Sequence, residues 1–389
     1  MGVDMRLYDQ NVALTLDYKV MFSRGIFASD DSAFLDLFGD EHRRVLVFVD
    51  DQVAATWPTL RDEIQVWAKR NSRIVDLCGV QTVPGGEPVK NSMQTFNSVA
   101  SLAREHGICR HSYIIAIGGG AVLDAIGFAA SVVHRGIRLI RMPTTVLSMN
   151  DSGVGVKNGI NYAGSKNFLG VFAPAHAVVC DLDFLSTLDH RTWSSGIAEA
   201  FKVAAIKDGE FLEWLISHSK ELAAREPGAE EHMIVRTAEL HMDHISQGGD
   251  PFERGSSRPL DFGHWAAHRL ETMTDFELLH GEAVSIGIAL DLAYAVRLEL
   301  LSEADAKRVV IAMRDVGMPV THAFLTERFD QVLVGLEEFR EHLGGNLTIA
   351  MPSPLGQQVD IFEIDSAQMT ASVADVQAWV ADSEVRNRG

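Results

Sequence analysis

A chain of 389 residues, 47% of them hydrophobic, is too long for one compact core and rich enough in apolar side chains for two. Its net charge of −19 argues against nucleic acid and anionic membrane as partners, since both need a basic face, yet leaves room for an anionic small molecule held by a few lysines in a cleft. Cys78, Cys109 and Cys180 are odd in number and lack metal spacing, so no disulfide framework is expected and all three read as buried apolar thiols.

The N-terminus lacks a charged segment followed by a long apolar one, and no apolar run reaches the roughly 18 residues of a membrane span. A soluble, cytoplasmic protein is expected. The first half then alternates short β-rich runs with helical patterns, the signature of a parallel sheet covered by helices. Residues 45–49 form one such run, ending in Asp50 and Asp51, and an acidic residue closing an early strand commonly takes a ribose hydroxyl of a dinucleotide. Residues 113–117 form another, followed at once by Gly118, Gly119 and Gly120 and by a helical pattern over 121–133. Strand, glycine turn and helix make a phosphate cradle, because backbone N–H groups at a helix start can face a pyrophosphate only where no Cβ intervenes. The order is GGGxxxD rather than GxGxxG, and the triple glycine alone is a weak signal. Residues 138–142 lead into Pro143, Thr144 and Thr145, and residues 177–180 into Asp181, so strand ends repeatedly carry polar groups.

Residues 151–167 form a glycine-rich loop that starts at Asp151, carries Lys157 and Lys166 and ends in Asn167. Two readings stand: a surface loop with incidental charge, or an anion clamp whose lysines neutralise a phosphate monoester. Arg135 and Arg138 add a guanidinium fork to the second. From about residue 190 the pattern becomes amphipathic and helical, over 193–206, 230–246, 263–272 and 282–298. The boundary is therefore drawn between 1–188, an α/β NAD-binding domain, and 189–389, a helical metal and substrate domain. Residues 344–350, with Pro352 after them, read as a small hairpin or edge strand, and 384–389 as a frayed tail.

Three separated segments of the second half bear Glu199, His264 with His268, and His280. One oxygen and two nitrogen ligands suit a catalytic Zn²⁺ or Co²⁺, because three protein ligands leave positions open for substrate oxygens. Glu199 and Lys202 share a helix face at i, i+3. Their neighbours are apolar, which favours a buried functional pair over a surface ion pair. His264 and His268 stack at i, i+4, so that both ligate, or one ligates while the other handles substrate. Asp261 caps their helix or reaches the site.

The segments GGGAVLDAIGF, HRGIRLIRMPTT, DSGVGVKNGIN, SKNFLG, CDLDFL, GIAEAFK, FGHWAAH and HGEAV, in that order, resemble the sugar phosphate cyclases, the superfamily of 3-dehydroquinate synthase. The resemblance implies a dehydroquinate synthase-like fold, with an N-terminal Rossmann-like dinucleotide-binding domain and a mostly α-helical C-terminal metal-binding domain. It implies tightly held NAD and one divalent metal, zinc or cobalt. It assigns Glu199, His264 and His280 as metal ligands. It places Asp50, Glu87, Lys90, Gly118, Gly119, Gly120, Asp124, Thr144, Thr145, Lys157, Lys166, Thr187 and Leu188 around NAD. Asp151, Lys157, Asn167, Lys202 and His268 fall on substrate-contacting positions, Asp261 stands where the family usually has asparagine, and Arg135 falls on a phosphate-contacting position often supplied by the neighbouring subunit of a homodimer. The implied chemistry is transient oxidation of a ring hydroxyl, phosphate elimination, return of the hydride, ring opening and aldol closure, with no net redox.

Dehydroquinate synthase holds its substrate carboxylate with a lysine and an arginine, and counting back from His264 puts Asp243 and Ser257 there. A carboxylate would be repelled beside Asp243, and an unpaired buried charge costs several kcal/mol. A substrate without it is expected, a heptulose phosphate such as sedoheptulose 7-phosphate, giving a 2-epi-5-epi-valiolone synthase-like outcome. Arg258 and Arg340 are the candidates to replace the missing cations. The alternatives are 3-dehydroquinate synthase itself, an iron-type alcohol or glycerol-phosphate dehydrogenase that would release NADH, and a non-catalytic binding protein.

Overall fold

The computed structural model describes residues 7–28, 32–163, 165–252 and 259–387. In chain order the strands of the first half are β1 (Lys19–Ser23), β2 (Arg43–Asp50), β3 (Val75–Val83), β4 (Tyr113–Gly118), β5 (Arg138–Pro143), β6 (Lys157–Tyr162), β7 (Ser165–Phe172) and β8 (Ala177–Asp181). Six of them form one parallel sheet in the order β1-β8-β5-β4-β2-β3. The apolar run of β4 is buried at every position, as a central strand covered on both faces must be. The chain winds outward from β2 to β3, then crosses back to β4 and on through β5 and β8. That reversal between β2 and β4 is the topological switch point, outside which open α/β sheets form their ligand crevice.

Residues 151–167, expected as a loop, instead form a π-type turn over Ser148–Ser152 and an antiparallel hairpin of β6 and β7. Sequence periodicity could not reveal it, because β7 is exposed at seven of its eight positions and has no apolar alternation to read. β1 and β3 lie at the two edges of the sheet and were not anticipated either.

After the turn Leu182–Thr187 the chain is mostly helical. The run expected over 193–206 divides into His190–Ser195 and Ala198–Lys207, with a break at Gly196, whose carbonyl accepts from Asn150 Nδ2 at 3.0 Å. The helices Pro227–Gln247, His264–Met273 and His280–Arg297 match the other expected stretches. β9 (Ile349–Pro352) and β10 (Gln358–Ile361) make the small hairpin. The final helix, Ser366–Asn387, runs through most of the expected tail. All three cysteines are free, but only Cys180 is buried; Cys78 lies on edge strand β3 and Cys109 in a turn, both partly exposed. Among the described residues no helix is long and apolar enough to cross a membrane.

Candidate active site

Two helices carrying the histidines start side by side. Gly263, at φ 78°, precedes the His264–Met273 helix, and a Cβ on Gly287 of the facing helix would lie 1.9 Å from its carbonyl oxygen. Only glycines allow that approach. Asp291, one turn further along the same helix, accepts from Gly263 N at 3.0 Å and Trp265 Nε1 at 2.8 Å. His264 and His280 consequently converge, with ring centroids 5.3 Å apart.

The third member arrives from the Ala198–Lys207 helix, which is buried along nearly its whole length. Glu199 Oε1 lies 3.9 Å from His264 Nε2 and 3.7 Å from His280 Nε2. Neither Glu199 oxygen has a hydrogen bond of good geometry, although Oε2 is in ion-pair contact with Lys202 Nζ. Leaving a buried acceptor without a donor costs about 1–3 kcal/mol, more for a charged group. The far side of each ring is fixed: His264 Nδ1 donates to the Phe262 carbonyl at 3.1 Å, and His280 Nδ1 bonds Glu271 Oε2 at 3.0 Å. Both Nε2 atoms are thereby turned inward, as metal-binding imidazoles are when a carbonyl or carboxylate holds the other nitrogen.

This donor set fits a divalent cation. Bonds of about 2.0–2.1 Å in a tetrahedral arrangement separate ligand atoms by about 3.3–3.4 Å, so Glu199 Oε1, at 3.9 and 3.7 Å from the two Nε2 atoms, is within about half an ångström of that spacing from each. Burial, with the nearby Lys202 ammonium, depresses the His264 pKa far below the ordinary value, leaving its Nε2 lone pair available. Burial raises the Glu199 pKa despite Lys202, a cost that a cation would offset.

Around this cluster the charges are ordered. Lys202 is buried, yet Asp151 and Glu199 outweigh that burial and raise its pKa, with Asp261 adding to the pull, so it stays protonated. Asp151 resists its own burial and remains ionised under Lys202, 3.6 Å away, and His241, whose Nδ1 donates at 2.9 Å. His268 is exposed on the same helix as His264 and stacks on His280 with centroids 6.0 Å apart.

At the switch point, Asp50 closes β2 and Gly118 closes β4. Asp50 receives backbone amides of Gln52, Val53 and Gly119, and burial raises its pKa. A Cβ on Gly118 would meet the Asp50 Cβ at 3.0 Å, so strand-end acid and glycine turn are adjacent. The Gly120–Val132 helix begins there. Thr144 is buried beside this turn, its N–H donating to the Gly118 carbonyl at 3.1 Å, and Thr145 pairs with Ser148. Lys90 bonds Asp124 at 2.8 Å and contacts Asn167, while Asn161 bonds Glu87 at 3.0 Å. Thr187 and Leu188 end a turn that Arg225 clamps through the Leu188 carbonyl at 2.8 Å. By contrast, Asp181 serves structure, accepting the amides of Gly25 and Ile26.

The structure places three further expected positions as follows. Lys166 is not at the glycine turn but on Glu271, at 3.2 Å. Lys157 is exposed at the start of the hairpin. Arg135 is exposed beyond the far end of the Gly120–Val132 helix, about 20 Å from the turn at 1.5 Å per residue. Asp243 is exposed and bonded to Gln247, while Ser257 and Arg258 lie outside the described residues. Arg340 pairs with Glu337 on its own helix.

Sequence reasoning missed His241, Glu271, Ser152 and Arg141. Arg141 is fully buried on β5, and its guanidinium gathers the carbonyls of Gly153, Gly155 and Lys157 and the Asn158 side chain at 2.6–3.0 Å, shaping the loop that presents Asp151. Buried polar atoms without partners include Asn150 Oδ1 and Ser152 Oγ, both close in sequence to Asp151.

A switch-point sheet joined to a helical half that bears a convergent Glu, His, His cluster defines a class, the two-part cleft fold of dehydroquinate synthase type. The 3-dehydroquinate synthase N-terminal family model matches residues 80–195 and the 3-dehydroquinate synthase C-terminal model residues 196–338. The 2-epi-valiolone synthase of Actinosynnema mirum is 32% identical over 370 residues, 94% of this chain and 93% of that protein. The chain belongs to the 3-dehydroquinate synthase family, the sugar phosphate cyclases. A 3-dehydroquinate synthase of Nitratiruptor is 38% identical, but over 62% of this chain and 67% of its own. Among solved structures, the 2-epi-5-epi-valiolone synthase ValA of Streptomyces hygroscopicus, with NAD⁺ and Zn²⁺ bound, gives a TM-score of 0.85 at 28% identity, over 95% of this chain and 99% of that one. A 3-dehydroquinate synthase of Shewanella frigidimarina is 31% identical over 85% of this chain and 90% of its own. Glycerol dehydrogenase of Schizosaccharomyces pombe, at TM-score 0.66 and 15% identity over 97% of this chain and 94% of that one, shares the fold alone.

Proposed function

We propose that this chain is an NAD- and divalent-metal-dependent cyclase that converts a heptulose 7-phosphate of the sedoheptulose type into a carbocyclic ketone and phosphate. The observation that carries the reading is the buried Glu199 carboxylate, facing two imidazole Nε2 atoms and flanked by Lys202 and Asp151. In this reading Glu199, His264 and His280 hold the metal, and the Gly119–Gly120 turn, Asp50, Asp124 and the threonines after β5 hold the dinucleotide. Bound there, these groups supply Lewis acidity and a reversible hydride acceptor.

The chain's own residues do the rest. Lys202, kept protonated, donates to a substrate oxygen, and ionised Asp151 accepts from a substrate hydroxyl. Lys157, on the hairpin, neutralises the phosphate. Asp243 and Ser257 stand where dehydroquinate synthase has the lysine and arginine for its substrate carboxylate, which favours the uncarboxylated heptulose. The full-length likeness to valiolone synthases supports the same choice. We place the enzyme as a cytoplasmic homodimer in which Arg135 serves the phosphate of the neighbouring subunit.

The test is phosphate release from metal-loaded protein with NAD⁺ and, in parallel, sedoheptulose 7-phosphate and the carboxylated heptulosonate phosphate. Release from the first without build-up of NADH absorbance is expected. Preference for the second would make the chain a dehydroquinate synthase, and sustained NADH formation a dehydrogenase.

A further inference from the structure

We propose that the β6–β7 hairpin is a strap across the cleft, and that Lys166, acting through Glu271, is a positioning residue that ties the seating of this strap to the orientation of His280. The inference rests on the reading of Glu199, His264 and His280 as a metal site.

Asn167 leaves the extended backbone, so Lys166 and Asn167 reach both halves of the molecule. Lys166 Nζ bonds Glu271 Oε1 at 3.2 Å on the His264–Met273 helix, and its ammonium also sits 5.8 Å from the centre of the Phe276 ring. Asn167 Oδ1 accepts from Lys90, which is buried beside Asp124 at the glycine-turn helix. Asn167 holds φ at 53°, and its own N–H donates to Asn161 Oδ1 at 2.8 Å. These polar ties join the start of β7 to both walls.

Glu271 is buried with both oxygens committed, Oε1 to Lys166 and Oε2 to His280 Nδ1 at 3.0 Å. The other ring nitrogen is the one directed at Glu199. His268, Glu271 and His280 also stand close enough to suggest a second cation site. The ammonium already on Glu271 opposes that, and the triad instead reads as the outer support of His280. A cation pulling Nε2 inward draws the ring, Glu271 and Lys166 with it. Coupling of this kind is reciprocal, so a seated strap strengthens cation binding by the factor by which the cation seats the strap. Because Asn167 and Lys157 ride on the same hairpin, the substrate side of the cleft is then completed only when the metal is in place.

Hydrogen exchange of peptides covering 165–172, measured without substrate or NAD⁺ and with or without Zn²⁺, tests this. In the wild type Zn²⁺ should slow exchange at least about fivefold, the low end of typical coupling. Lys166→Met and Glu271→Gln should abolish that protection, whereas Val171→Thr, an exposed and nearly isosteric change on the same strand, should retain it. Glu271→Gln should also weaken Zn²⁺ binding about 10- to 100-fold, read by competition with a chelating indicator. Zn²⁺ binding with unchanged exchange in the wild type, or protection that survives Lys166→Met, overturns the coupling while leaving the metal site standing. A wild type that binds no Zn²⁺ overturns both.

Discussion

One ring on the Pro227–Gln247 helix holds Asp151 in place. His241 Nδ1 donates to Asp151 Oδ1 at 2.9 Å, and Lys202 Nζ approaches the same oxygen at 3.6 Å. His241→Phe removes the donor and should lower kcat/KM about ten- to a hundredfold, in line with about 1.5–3 kcal/mol for a hydrogen bond to a charged group. His241→Asn places an amide N–H where Nδ1 was and should recover most of the loss. Metal content and NAD⁺ affinity should stay at wild-type level in both, since His241 touches neither set of residues. Steady-state kinetics beside metal analysis would decide it; an Asn variant no better than Phe would reduce His241 to packing. The contrast with Glu199 explains what could be read in advance. Glu199, His264 and His280 stand out as charged or ligating residues among glycines and apolar side chains. His241, Glu271 and Arg141 sit at ordinary polar positions on helix or strand, and they meet their partners only through the fold, 90 residues away for His241 and 105 for Glu271 with Lys166. No local pattern encodes such a meeting.

At the scale of elements, the long helices and buried strands were legible because their apolar periods are strong. β7 was not, since an exposed strand has no period to show, and β1, β3 and β6 lack a clean alternation of buried and exposed positions. The contact between the two histidine helices was also hidden, because it depends on Gly263 and Gly287 facing each other and on Asp291 spanning the gap. Burial raises the Asp291 pKa from its ordinary value near 3.8 to about 7, against the two N–H donors that lower it. The folded chain therefore keeps a proton that the unfolded chain has already released, and stability falls as pH rises through the window from about 4 to 7. A rise of that size corresponds to at most on the order of 4 kcal/mol across the window. Asp291→Asn removes the titration, so the thermal midpoint of the metal-free variant should gain on the wild type steadily from pH 4.5 to pH 7. Calorimetry giving two parallel midpoint curves would show that Asp291 does not hold this proton. The same variant forces an amide N–H against the donors of Gly263 or Trp265, so weaker Zn²⁺ binding is expected with it.

On the scale of the whole molecule, Arg135 poses a geometric problem that a single chain does not solve. It lies exposed beyond one end of the Gly120–Val132 helix, whereas the glycine turn is at the other. An isologous dimer places the same patch of each subunit against its mate, so a residue remote from its own site can complete the other. Glu199→Ala should abolish metal binding and turnover while NAD⁺ still binds, and Arg135→Ala should abolish turnover through loss of the phosphate contact. If Arg135 acts in trans, a mixed dimer of the two inactive chains contains one intact site, with Glu199 from one subunit and Arg135 from the other. Random pairing makes half the dimers mixed, each with one working site of two, so co-expression should restore roughly one quarter of wild-type activity. If Arg135 acts in its own chain, each site in the mixed dimer lacks one residue and no activity returns. Activity assays on the purified mixed species, separated by two different affinity tags, distinguish these outcomes without any assumption about which heptulose phosphate the cleft prefers.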